Sequence, residues 1–272
     1  MKPAKQKTLS FFKNQVIFLE EAFVIENIEA FTAFKKAVEM YCYFTFEFDK
    51  IIDSEVNFES QYVAKENKTL VAVKSVQSAI QILSSIFPLN HPFWDTLNQA
   101  LSDYYENTLE EKYQSIKQPL YSLEAFENYA IAKHCLAYIP IAGLNFLFKC
   151  NRDYQALRKM YTHIFLAMQM NDDLEDFNDD IENNQWTYLH ARVVKFLNTE
   201  NIEEDKSLTK FKERLLYVSG IGTEAIDYVK LHFNEALLLA KTLSLVKISE
   251  WLEDVIADVQ ENEALVLRLL HK

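Results

Sequence analysis

Three glycines and five prolines are the only strong helix breakers in 272 residues. A chain so poor in them has few places to turn tightly, and the two-residue turns of β-hairpins call for positive φ, which glycine supplies most cheaply. Apolar residues recur at helical spacing almost everywhere, and no stretch alternates for long with the period of a strand. The reading is all-α: one domain over 1–272, a bundle of about ten helices with short connections. Helices are expected over residues 9–25, 28–56, 62–87, 93–116, 123–147, 153–182, 186–197, 207–219, 223–243 and 247–271. Pro88, Pro92 and Pro119 fall between them, and Asn198 to Lys206 reads as an acidic surface loop. Pro140 and Gly143 lie inside the fifth, which is either one kinked helix or two joined by a bend.

Within the sixth helix, Asp172, Asp173, Glu175, Asp176, Asp179 and Asp180 place six carboxylates in nine positions. Residues four apart stack on one helix face, so Asp172, Asp176 and Asp180 form a ladder of oxygens, with Gln169 and Phe165 continuing that face into apolar sequence. Negative charge is disfavoured at a helix C-terminus, and a bound cation removes the conflict. A hard divalent ion is the natural occupant of an all-oxygen ladder. A solvated acidic surface is the alternative. Asp173 lies to one side of the ladder, and Glu175 and Asp179 share a neighbouring face.

A second acidic pair, Asp49 and Asp53, also lies four apart on a helix, among Tyr41, Phe44, Phe46, Phe48, Ile51 and Ile52. Carboxylates beside so much apolar surface are costly unless paired or metal-bound. Two such helices facing each other across a cavity would hold a cluster of Mg²⁺ ions, and the ions a diphosphate.

Asp49-Lys50-Ile51-Ile52-Asp53 resembles the first aspartate-rich motif of class I isoprenoid synthases, with Lys50 in place of its second Asp. Gln169-Met-Asn-Asp172-Asp173-Leu-Glu-Asp176 is similar to the second motif of trans-prenyltransferases. One turn later, Asp176-Phe-Asn-Asp-Asp180 with Gln185-Trp-Thr-Tyr188 is similar to that of squalene and phytoene synthases, where an Arg usually stands at Gln185. Asn171, Glu175 and Asp179 resemble the metal triad of terpene cyclases, with a different middle residue. The resemblance implies a bundle around a deep apolar cavity and an enzyme using three Mg²⁺ ions and a C15 or C20 allylic prenyl diphosphate. It makes Asp49, Asp53, Asp172 and Asp176 catalytic metal ligands, with Asp180 a further ligand. Lys133 and Arg192 are the candidate cations for the diphosphate. Gln169, Phe165 and Tyr138 are candidates for the pocket wall, where aromatic faces attract a carbocation. Lys50 and the absence of an arginine pair after the first motif depart from chain-elongating enzymes, so a terpene synthase is the favoured branch. Prenyl transfer, elongating or head-to-head, is the alternative. A non-catalytic, cation-binding helical protein is the further one.

The net charge of −12 argues against nucleic acid as a partner. No run of about 18 uncharged apolar residues reads as a transmembrane segment, and the basic N-terminus precedes too short an apolar run for a signal peptide. The expected location is the cytoplasm, and a homodimer is compatible with the sequence. Cys42, Cys135 and Cys150 lie in apolar helical segments and read as reduced, buried thiols. The six histidines show no zinc-binding spacing.

Overall fold

The computed structural model describes residues 2–52, 59, 68–205 and 207–270. They form twelve α-helices, two short 3₁₀ segments and two two-residue strands. The chain separates into two compact units. One comprises Leu9–Leu97 and Ile139–Arg152, and the other Met1–Thr8, Asn98–Tyr138 and Asp153–Lys272.

The N-terminal unit holds most of α1 (Lys2–Leu19), α2 (Ile28–Ile52), α3 (Lys68–Ile86), the start of α4 (Pro92–Lys117) and α6 (Ile139–Leu147). Asn27 starts α2, its Oδ1 accepting from the backbone N–H groups of Glu29 and Ala30 at 3.1 and 3.0 Å. Pro92 occupies the first position of α4, where its missing N–H costs nothing. Phe34 is fully buried and meets Phe87 and Phe93 edge-on, while those two rings stack at 4.0 Å. Gly143 lies against the same ring, and a Cβ there would come within 2.2 Å of Phe34 Cζ. The strands β1 (Phe23–Val24) and β2 (Lys149–Cys150) pair antiparallel, Phe23 opposite Cys150. The first helix thus ends at Leu19, followed by a 3₁₀ turn and β1, where a helix to residue 25 was expected. Of the described helices, α3 alone reaches the length and mean hydropathy (1.2) of a membrane-crossing segment; 17% of that window is buried. Lys74, Gln77 and Gln81 interrupt its apolar run.

The C-terminal unit is built on α7 (Tyr154–Glu175). Around it lie the rest of α4, α5 (Leu123–Lys133), α8 (Phe177–Glu182), α9 (Tyr188–Glu200), α10 (Phe211–Val218), α11 (Ile221–Thr242) and α12 (Val246–Leu270). Every residue of α7 from Ile164 to Met170 is buried, so this stretch is the centre of its core. α7 packs along α11, and α11 along α12. Ser122 caps α5 by accepting from Ala125 N–H at 3.1 Å, and Gly220 takes the left-handed φ of 85° that lets α10 turn into α11.

The expected helix over 123–147 is interrupted at His134. A 3₁₀ turn, Cys135–Tyr138, follows, and Pro140 falls in the first turn of α6. Proline sits well in a first turn and badly in an interior, which sets the new start just ahead of it. α9 continues to Glu200, into the expected loop. All three cysteines are free but only partly buried, a correction to the buried thiols expected.

Candidate functional site

Asp153 fixes the start of α7, its Oδ1 accepting from the N–H groups of Gln155 and Ala156 at 2.9 and 3.1 Å. The other end is where the carboxylates gather. A continuous helix over 153–182 was expected, but the backbone leaves helical geometry at Asp176 (φ −96°, ψ 6°), and α8 restarts at Phe177. Negative charge crowds this helix end, where the macrodipole disfavours it. Asp176 still donates its N–H to the Asp172 carbonyl, and Asp180 to that of Asp176, so the four-residue spacing survives the bend.

A half-enclosed pocket in the C-terminal unit is lined by Gln169, Asp172, Asp173 and Asp180 from this acidic end. Glu111 of α4, Phe126, Tyr129 and Lys133 of α5, Tyr121, and Gln185 to Tyr188 complete it. Asp172 is exposed, Asp176 half-buried, and Asp173 and Asp180 buried. Gln169 Nε2 donates to Asp173 Oδ1 at 2.8 Å. Burial, chiefly, and the charges of Asp172 and Asp176 push the Asp180 carboxyl up to about 7, against the pull of Lys133. Burial likewise holds the Asp173 carboxyl well above the usual range; the Gln169 hydrogen bond opposes this, and the charges of Asp180 and Asp172 add to it. Burial and mutual repulsion thus disfavour the charged form of both carboxyls, a cost that a bound divalent cation would offset.

Lys133 is the sole cationic side chain among the described lining residues. Its Nζ donates to Glu111 Oε1 at 3.2 Å and lies 5.6 Å from the Tyr129 ring centroid. Burial works against the ammonium, but Glu111 and Tyr129 more than reverse it and hold its pKa well above the ordinary lysine value. Burial also opposes ionisation of Glu111, and Lys133 with Tyr129 brings its pKa below normal. The pair stays charged. Burial and the nearby Glu111 raise the Tyr121 hydroxyl to about 12.

Trp186, in the pocket lining, stacks on His190 at 5.8 Å. Trp186 donates its N–H to Ser115 Oγ at 3.1 Å and its indole Nε1–H to the Pro119 carbonyl at 2.8 Å. His190 accepts from Thr187 N–H at Nδ1 and donates from Nε2 to the Phe177 carbonyl at 2.9 Å, tying α9 to α8.

Of the residues selected from the sequence, the pocket brings together Gln169, Asp172, Asp180 and Lys133. Asp176 is the hinge between α7 and α8. Phe165 is fully buried behind the pocket, between His134 (4.7 Å, stacked) and Tyr138 (5.2 Å, edge-on). Tyr138 hydrogen-bonds Thr162 at 2.7 Å, and neither ring is among the lining residues of the pocket. Arg192 is engaged with Glu224 at 2.6 Å and the Tyr188 hydroxyl at 3.1 Å, and reaches the pocket only through Tyr188. Asn171 donates to Glu175 at 2.9 Å, and neither they nor Asp179 line the pocket. Asp49 is half-buried on α2 of the N-terminal unit, and Asp53 lies outside the described residues. Lys50 pairs with Glu47 at 2.7 Å on the surface.

Glu111, Tyr129 and Trp186 were not singled out from the sequence. Glu111 sits in the run Glu110-Glu111-Lys112, which reads as a solvated face; only its placement against Lys133 distinguishes it.

No family model and no curated protein matches this sequence. Among solved structures, the crystal structure of a polyprenyl synthase from Roseobacter denitrificans is similar, with a TM-score of 0.60 and 15% identity over 96% of this chain and 99% of that one. The chain shares the all-α fold of that protein.

Proposed function

We propose that this chain is a Mg²⁺-dependent enzyme that ionises an allylic prenyl diphosphate. The observation that carries the reading is the pocket where Asp172, Asp173 and Asp180 converge opposite Lys133. Its donors suit a hard cation: carboxylate oxygens, with no Cys or His in the lining. Among the described residues no three acidic, His or Cys side chains form a ready-made metal cage. Mg²⁺ commonly takes one or two carboxylates and fills its shell with waters and substrate phosphate oxygens, so the donor set fits it. Asp172, Asp176 and Asp180 are the proposed ligands in this unit; Asp49 and Asp53 are proposed as metal ligands on the sequence resemblance alone. Mg²⁺ held there supplies the positive charge that makes diphosphate a competent leaving group.

Lys133 contributes a fixed cation beside the departing phosphate, held in place by Glu111, and it is preorganised rather than recruited. Gln169, positioned by Asp173, presents its amide at the same wall. Tyr129, Trp186, Tyr188 and Phe126 offer aromatic surface that limits access of water to the allylic cation. The Lys50 substitution favours a terpene synthase that cyclises or rearranges that cation. Transfer of the prenyl group to a second isoprenoid is the second reading, favoured by the fold shared with a polyprenyl synthase.

The test is incubation with C10, C15 and C20 diphosphates and Mg²⁺, with and without isopentenyl diphosphate, measuring released diphosphate and extracted hydrocarbon. Products from one allylic substrate alone mark a cyclase, and products only with the second isoprenoid mark transfer. Diphosphate release from none of them, by folded protein, removes the catalytic reading.

A further inference from the structure

In the C-terminal unit, α4 has two unlike faces. On one, Tyr104 and Thr108 are buried and Glu111 lines the acidic pocket. On the other, Leu101, Tyr105, Leu109, Tyr113 and Ile116 recur at helical spacing, and Leu120 follows just past the helix end. These six side chains are 37–78% exposed. Glu111 is two residues from Leu109, about 200° around the helix, so the stripe points away from the pocket. The pocket and the stripe can thus be perturbed separately, and neither assignment rests on the other.

Single exposed leucines are ordinary on a protein surface, whereas a continuous stripe is not. From Leu101 to Ile116 it runs about 22 Å along the helix. An aromatic side chain carries roughly 150–250 Å² and an aliphatic one somewhat less, so six half-exposed ones offer roughly 600 Å². That is at the upper end of the largest apolar patch on a typical monomer, about 300–600 Å².

We propose that this stripe is a self-association surface, on which a second copy of the chain packs α4 against α4 about a two-fold axis beside Leu109. Area and symmetry carry it. A specific interface buries about 1,200–2,000 Å² in total, and two copies of the stripe supply roughly 1,200 Å² before any polar rim is added. Tyr105 and Tyr113 stand four residues before and after Leu109, so the centre of the row reads the same in both directions. When two such helices cross antiparallel, Leu109 meets its own counterpart and Tyr105 meets the partner's Tyr113, twice over. A two-fold interface requires this self-complementarity. Rows of residues four apart interdigitate in the commonest class of helix packing, at a crossing of about −50°. The flank of the row is polar, as an interface rim is. Glu106 and Glu110 are exposed there, Gln114 donates to Glu110, and Lys117 Nζ lies 5.5 Å from the Tyr113 ring centroid.

Sedimentation velocity of the full-length protein over about 1–100 μM should show a dimer. Leu109→Glu puts a carboxylate from each copy on the axis and should weaken the dimer about thirtyfold or more, leaving a folded monomer by circular dichroism. Leu109→Cys, treated with a short bis-maleimide, should give a covalent dimer. Leu231→Cys, comparably exposed on α11, should cross-link no more than the wild type, whose three native cysteines set the background. A wild type that stays monomeric throughout the range overturns the proposal, as does an undiminished dimer in folded Leu109→Glu. If the glutamate variant does not fold, a dimeric Leu109→Cys protein that fails to cross-link through position 109 overturns it instead. Binding of monomeric wild type to phosphatidylcholine vesicles, lost in Leu109→Glu, would assign the stripe to a lipid surface and overturn it as well.

Discussion

Replacing Glu111 with Gln isolates the electrostatic core of the pocket. The Lys133–Glu111 contact is 3.2 Å, which at an effective dielectric of 20 corresponds to about 5 kcal/mol of attraction. Neither side chain is fully withdrawn from water, with 35% of Lys133 and 21% of Glu111 accessible. The loss falls between the ~1 kcal/mol of an exposed pair and the ~3–5 kcal/mol of breaking a buried one, so about 2 kcal/mol is expected. For a chain this size that lowers Tm by about 4–8 °C. Lys133→Met alone and the double variant close a thermodynamic cycle, whose coupling energy should be about 2 kcal/mol. The pH dependence gives a second check. The Glu111 pKa is depressed on folding, so its contribution is present above the unfolded carboxyl pKa and lost as pH falls through the folded one. Glu111→Gln should flatten that part of the acid limb. Urea or thermal denaturation at pH 7 and across pH 3–6 measures both. A Tm change under about 1 °C with strictly additive single variants would show that the pair is incidental.

Asp180→Asn should raise the stability of the metal-free protein. The wild-type carboxyl is raised to about 7, so wild-type stability declines as pH climbs from about 4 to 7; at pH 8 the variant should be more stable by roughly 2 kcal/mol, and a less stable variant refutes this. The same residue should matter for turnover: Asp180→Ala is expected to weaken Mg²⁺ dependence strongly and Asp179→Ala little, because Asp180 is buried in the pocket wall and Asp179 is exposed. A larger effect at Asp179 in activity measured against Mg²⁺ concentration would reverse the register. Gly143→Ala should destabilise by about 1–3 kcal/mol, because the new Cβ meets a Phe34 ring already enclosed by Phe87 and Phe93; chemical denaturation unchanged within 0.5 kcal/mol, on the order of experimental additivity, rules it out. His134, half-buried and stacked on Phe165, has its pKa lowered by desolvation to about 4, so it favours the folded state above the unfolded value near 6.5 and loses that contribution as pH falls toward 4. His134→Asn should make the stability difference between pH 7 and pH 4.5 smaller, and an unchanged difference contradicts the assignment.

The all-α class was legible in the sequence because it rests on local physics: few residues break a helix, and apolar positions repeat with its period. The acidic end of α7 was legible for the same reason, since residues four apart share a face whatever the helix packs against. Its break at Asp176 was not, because that depends on how much charge the surrounding structure leaves unscreened. Phe165 and Tyr138 share the periodicity of a pocket wall and of a core, and packing against His134 and Thr162 made them core. The Arg192 partner Glu224, 32 residues later, could not be read from local sequence. Glu111 and Lys133, 22 residues apart, look like ordinary surface charges until α4 and α5 bring them together. His163 and His232, 69 residues apart, meet in a hydrogen bond because α7 packs along α11. Sequence fixes what a residue can do within its own helix turn. Which charges are paired, which rings are enclosed and which nitrogens meet is decided by side chains arriving from distant helices, and only the tertiary structure holds that information.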